Sequence, residues 1–345
     1  MRRGAWLAVL FGMAGLGVTM WVLGGSVRSL ARVPAWSFAV GAALVVVNYA
    51  AGTVRLRLIS RLGGHSISYG SCLRAYSLGL FSAAVTPGSA GQAPAVALAL
   101  LRDGLTGAQS WSINVYVWVL DLAFLTYSVP ASLLLIGRAA VPLSAAQLWA
   151  FAALVAAMAA GMMWVLSFRL NWITNLGRRL FRLRWLSRWR ATTDVFFSRV
   201  EAASGQIMSG TLTQRAALHL LTAVVYLSTL AVFWVMVVAI RPGAPLLTTM
   251  AIAQVPMVLA TFMPTPGGAG LLEIFTASLF VAGSAGPRPQ GGAVQAAGGT
   301  VAAAILGWRL LTFYSRFVVG PIAGSTFART APSKGGPDRG QDGQR

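Results

Sequence analysis

Thr86-Pro87-Gly88-Ser89-Ala90-Gly91 in the first half of the chain returns as Thr265-Pro266-Gly267-Gly268-Ala269-Gly270 in the second. Each copy interrupts a strongly apolar stretch, 73–101 and 246–281, near its middle. In hydrocarbon every backbone N–H and C=O must find a partner, so a broken helix survives only where protein or a watery cavity satisfies the freed groups. Paired breaks at corresponding places in two halves point to the binding site of a transporter.

Composition supports membrane depth. Of 345 residues, 57% are hydrophobic and only 10% charged, against roughly 25% charged in soluble domains. The net charge of +20, from 27 Lys+Arg against 7 Asp+Glu, raises nucleic acid or an anionic membrane surface as a partner. The arginines fall in the gaps between apolar runs, as in cytoplasmic loops, which favours the membrane and argues against nucleic acid. Cys72 alone makes no intrachain disulfide, and His65 and His219 are the only histidines, so no metal site or cofactor is expected. Met1-Arg2-Arg3 before an apolar run resembles a signal sequence, and we read it as an uncleaved first span.

Runs of about 20 apolar residues suffice to cross a bilayer. They predict an all-α polytopic membrane protein with spans at 5–24, 36–54, 111–136, 148–168, 216–240 and 300–322. The two broken segments have half-helices of about ten residues on either side, the length a re-entrant hairpin needs. A kinked single span has the same length. Counting arginines favours the hairpins over the kinked spans: with the N-terminus inside, only Arg28, Arg32, Arg138, Arg241 and Arg288 fall in outside loops, as the positive-inside rule expects. The first hairpin then dips from the cytoplasm and the second from outside, so the halves form an inverted-topology repeat. The reading is one membrane domain, 1–328, with halves 5–168 and 216–325, a cytoplasmic loop 169–215, and a disordered polar tail 329–345. Both termini are placed in the cytoplasm.

The loop mixes Arg178, Arg179, Arg182, Arg184, Arg188 and Arg190 with Trp185 and Trp189, a composition suited to an anionic lipid surface. Residues 192–208 are expected to be helical, and 284–299 to form an external Gly/Pro-rich loop.

Asp121 and Glu273 are the acids inside apolar segments. A charge at the centre of a span costs about 2.5 to 3.5 kcal/mol on insertion scales, so such residues face a cavity or a partner. Glu273 follows Gly270 by three residues, in a first helical turn whose dipole favours a carboxylate. It is either a helix-start cap or part of a transport path. Arg309, on the last span, either pairs with Glu273 or holds a lipid phosphate with its planar fork. Asp121 is expected to pair with Arg74 or Arg102 at the cytoplasmic mouth of the first hairpin. Gly88, Gly91, Gly267, Gly268 and Gly270 allow positive φ and close backbone approach, and Thr86, Pro87, Thr265 and Pro266 complete the two turns. The half-helix after each break directs unpaired N–H groups at a potential anion, unless the turns serve packing alone. No Walker A loop, nucleophile elbow, HExxH or CxxC is present, so no enzymatic activity is expected.

Thr86-Pro87-Gly88 with Gly91, the block from Met263 to Glu273 and Trp308-Arg309-Leu310-Leu311-Thr312-Phe313-Tyr314 resemble the lysylphosphatidylglycerol synthase transmembrane region, a flippase-like family, over about residues 5 to 325. The resemblance implies lipid handling without the synthase domain. The family often has Glu-Arg ahead of the acid that Asp121 matches, where this chain has Val117-Trp118. Residues and resemblance together lead to a translocase in the cytoplasmic membrane of a bacterium, moving an anionic phospholipid or polyprenyl-phosphate-linked lipid. Two other roles stay open: a membrane partner of an envelope or glycosyltransferase assembly, and a lipid-linked transferase. Membrane lipids are the expected partners, with a homo-oligomer or a membrane enzyme as further possibilities.

Overall fold

The computed structural model describes residues 33–140, 145–180, 190–261, 270–284 and 292–329, together with 17, 30, 31, 265, 267 and 268. The span expected at 5–24 and the tail 330–345 lie outside the described residues. Among those described, all regular structure is helical. Helix α1 is Ala35–Leu62, α2 Tyr69–Val85, α3 Gln92–Arg102, α4 Gly107–Ala140 and α5 Ala145–Phe168. The connecting region holds α6 Leu170–Leu180 and α7 Arg190–Met208. The second half holds α8 Leu212–Ile240, α9 Leu246–Ala260, α10 Leu271–Ser284 and α11 Gly292–Arg309, which runs through a π-turn, Leu310–Tyr314, into α12 Arg316–Arg329.

Four stretches are long and apolar enough to cross a membrane among the described residues: Ala35–Leu62, Gly107–Ile136, Leu212–Ile240 and Val301–Ser325. Their outward faces carry Val46, Leu220 and Val318, each more than 60% exposed, as lipid-facing side chains must be. Local signals start the helices where the sequence offers them. Ser68 caps α2 by accepting the Ser71 N–H, and Thr211 with Gln214 forms a capping box at α8.

The halves pack reciprocally. Helices α1 and α8, each preceding a broken segment, lie against one another along their length. Asn48 of α1 ties them, its amide donating to the Val225 carbonyl at 2.7 Å and to the Thr229 hydroxyl at 3.0 Å. Helix α4, which follows the first break, packs on α9 and α10 of the second; α12, which follows the second break, packs on α2 of the first. Each broken segment is therefore walled by the other half of the chain. Between α4 and α9, Gln254 accepts from Ser132 at 2.9 Å and donates to Ser128 at 2.6 Å, beside Pro130 and Pro256.

Two boundaries differ from the sequence reading. Helix α1 runs eight residues beyond the expected end at 54, because Arg55 finds a buried partner and no longer needs water. Residues 292–299, expected in an external loop, already belong to α11, which packs on α10. The helix expected at 192–208 forms as α7. In the connecting region Arg178 of α6 reaches Glu201 at 3.2 Å and Asp194 at 3.9 Å on α7, so one of the loop's arginines clamps protein; residues 181–189 lie outside the described residues.

Candidate functional site

Both apolar segments break at the hexapeptides. In the first, α2 ends at Val85 and α3 begins at Gln92. Thr86 closes the gap with one hydroxyl: it donates to the Ser82 carbonyl at 2.7 Å and accepts the Gly91 N–H at 2.8 Å. Gly91 itself has φ −76°, so it does not need the left-handed region expected of it. Its requirement is space, because a Cβ there would collide with the Ser82 hydroxyl and the Thr86 side chain. Gly88 and Ser89 make the actual turn, both at φ 57°.

The second break is held by a nearby acid and by a distant cation. Glu273, fully buried in the first turn of α10, accepts the Gly270 N–H at 2.7 Å. Its other oxygen, Oε1, lies 2.7 Å from Nε of Arg309, a close ion-pair approach whose geometry falls short of a hydrogen bond. Arg309 Nη2 donates to the Gly267 carbonyl at 3.2 Å, and its guanidinium stacks 4.0 Å from the centre of the Phe313 ring. Gly267 sits at φ 59° with its Cα turned into that ring, so only glycine fits. Gly268 and Gly270 are also at positive φ. The helix-start and pairing roles expected of Glu273 thus hold together in one contact set. Thr265, the counterpart of Thr86, has a buried hydroxyl with no hydrogen-bond partner among the described residues. Pro266 lies outside them.

Asp121 does not meet Arg74 or Arg102. It pairs with Arg55 of α1 at 2.6 Å, and the same guanidinium nitrogen donates to Thr222 at 3.2 Å. Arg74 instead joins Asp103 at 3.3 Å, tying the two arms of the first hairpin, and Arg102 lies at the exposed end of α3. The reason is the length of α1: its last two turns carry Arg55 to the depth of Asp121, whereas Arg74 has an acid nearer on its own hairpin.

Of the expected site residues, Asp121, Gly267 and Arg309 line a cavity of about 250 Å³. Its wall takes Ser89 and Gln92 from the first break and Gly267 from the second, together with Arg55, Asp121, Arg309 and Arg316. Asn48, Tyr76, Tyr226 and Gln254 add to its polar lining. Tyr76 donates to Asn48 Oδ1 at 3.2 Å, so this wall is ordered by its own hydrogen bonds. Among the described residues no group of three His, Cys, Asp or Glu side chains is placed to hold a metal ion.

A family model described as the lysylphosphatidylglycerol synthase TM region matches residues 5–320. The chain belongs to that family. No curated protein matches it. As a member of the lysylphosphatidylglycerol synthase TM region family it is a multi-pass membrane protein, in agreement with its long apolar helices. The departure at Val117-Trp118 lies off the cavity, with Trp118 42% exposed on the outside of α4.

The sequence reading missed Arg55, Asn48, Gln254 and Arg316 as cavity residues. Arg316 carried a signal, since it falls inside the last span seven residues after Arg309. Arg55 carried none, because it stood just past the expected end of its span.

Proposed function

We propose that this protein translocates an anionic lipid across the cytoplasmic membrane. The head group enters the cavity between the two broken segments while the acyl chains stay in the bilayer. The observation that carries this reading is the cavity wall, to which both breaks and both halves contribute beside two internally neutralised charge pairs. A polar recess at the meeting of two broken helices is where a charged group crosses hydrocarbon at least cost. The family description, with its lipid-linked name, supports the same class of ligand.

In this reading each broken segment is a re-entrant hairpin, the halves are inverted, and both termini are cytoplasmic. Thr86, Pro87, Gly88, Gly91, Thr265, Pro266, Gly267, Gly268 and Gly270 shape the path. Asp121, Glu273 and Arg309 fix its walls, and Arg74 and Arg102 stand at its entrance. No covalent chemistry is assigned to the protein.

The test is lipid movement in proteoliposomes, following fluorescent phosphatidylglycerol and a polyprenyl phosphate with a membrane-impermeant quencher. The wild type is expected to move one of these, and Glu273→Gln to slow it by about tenfold or more, the scale of losing one charge-assisted contact. Absence of movement of either lipid, with and without a proton gradient, would remove the translocase reading in favour of an assembly partner.

A further inference from the structure

Four charged residues line the cavity, and three of them are already engaged. Arg55 and Asp121 neutralise one another at 2.6 Å. Arg309 is neutralised by Glu273, and its guanidinium is further taken up by the Gly267 carbonyl and the Phe313 ring. The fourth, Arg316, has neither a carboxylate nor a hydrogen-bond partner among the described residues. It lines both the main cavity and the smaller recess adjoining it, which Asn48, Tyr49, Thr229 and Thr312 also border. The Tyr49 hydroxyl is buried in the protein without a hydrogen-bond partner. A half-buried guanidinium with five open N–H donors and a neighbouring idle hydroxyl is an incomplete constellation. An uncompensated cation at membrane depth is costly, and an anionic ligand relieves that cost.

We infer that Arg316, rather than Arg309 or Arg55, binds the anionic head group, and that the head group is a small phosphodiester bearing one negative charge. This rests on the transport reading above for the claim that the ligand is a lipid. The charge follows from the count: the two pairs are neutral, so the wall carries the single net positive charge of Arg316. The size follows from the volume. About 250 Å³ lies below the roughly 300–1,000 Å³ of pockets for drug-sized molecules, enough for a phosphate with a short alcohol and too little for a lipid-linked oligosaccharide. The fork of a guanidinium suits two phosphate oxygens, and the Tyr49 hydroxyl supplies a third donor. Arg316 lies just beyond the π-turn, marked by a Ser315 N–H to Leu310 carbonyl bond of 3.2 Å. Such turns recur at functional sites.

Lipid retention, measured by native mass spectrometry on the detergent-purified full chain, tests the inference. The protein is offered phosphatidylglycerol and phosphatidylcholine in equal amounts, as wild type, Arg316→Gln, Arg316→Lys and Tyr49→Phe. The wild type is expected to retain phosphatidylglycerol at least about tenfold over phosphatidylcholine, the scale of one charge-assisted hydrogen bond. Arg316→Gln should bring the ratio near parity, and Arg316→Lys, which keeps the charge but not the fork, should lower it several-fold. A wild-type ratio in Arg316→Gln, at an unchanged melting temperature, overturns the inference. If that variant does not fold, Arg316→Lys decides, because an unchanged ratio there overturns it equally. Arg316-dependent retention in a protein that moves no lipid in vesicles would sink the transport reading and leave the head-group site standing. Transport of phosphatidylglycerol and phosphatidylcholine in the wild-type ratio by Arg316→Gln would do the reverse.

Discussion

Two nearly identical hexapeptides, differing only at Ser89 and Gly268, break two apolar segments; a nearby side chain takes a freed N–H in each, and the second adds a partner from far along the chain. The first is local. Thr86 bridges the Ser82 carbonyl four residues before it and the Gly91 N–H five residues after it. The second depends on Arg309, 36 or more residues away in sequence, through Glu273 and the Gly267 carbonyl. Its own threonine has no hydrogen-bond partner among the described residues. A shared motif therefore fixes where a helix breaks and leaves open what holds the break, since the partner comes from whichever element packs against it.

That comparison can be broken most forcefully at the ion pair. Arg309→Ala leaves the carboxylate of Glu273, which has no solvent exposure, without its counter-ion. Truncating one member of a buried pair costs about 3–5 kcal/mol. Thermal unfolding in detergent should show the largest loss here, and a loss under about 1 kcal/mol would mean that the second break is held locally after all.

The glycines give a smaller contrast. Gly267→Ala meets both positive-φ strain and the Phe313 ring, and overpacking of that kind costs about 1–3 kcal/mol before the strain is added. Gly91→Ala keeps an ordinary φ and is spared that strain, although it presses on the Ser82 hydroxyl and the hydrogen-bonded Thr86 side chain. Gly267→Ala is expected to be the more damaging in the same melting experiment, and the reverse order would show that the first turn is the more tightly packed of the two.

The threonines sharpen the comparison at the lowest energies. Thr86→Ala removes an acceptor from the start of α3, a loss of about 1 kcal/mol, whereas Thr265→Ala removes a hydroxyl that bonds to nothing described. Melting should separate them by about that amount. Should Thr265→Ala prove the more destabilising, its hydroxyl has a structural partner and the asymmetry between the breaks disappears.

Much of the architecture was legible because membrane insertion is a strong constraint on composition. The span read at 111–136 is the interior of α4, that at 216–240 lies within α8, and both breaks fall at the quoted hexapeptides. Glu273 was legible as a helix-start acid because the dipole and the capping distance act within one turn. The pairing of Asp121 was not legible. Arg74 and Arg102 were near in sequence, but Arg55 reached it across 66 residues because α1 extends two turns further than hydropathy suggested.

The sequence by itself determined an all-helical membrane chain, the two sites of helix interruption, and the membrane depth of Asp121, Glu273 and Arg309. These follow from local rules: apolar length, backbone satisfaction and the rarity of ionisable groups in hydrocarbon. Only the tertiary structure decided which charges cancel and which does not. Arg55 takes Asp121, Arg309 takes Glu273, and Arg316 faces the cavity beside them, an allocation set by which helices pack within the few ångströms over which an ion pair forms.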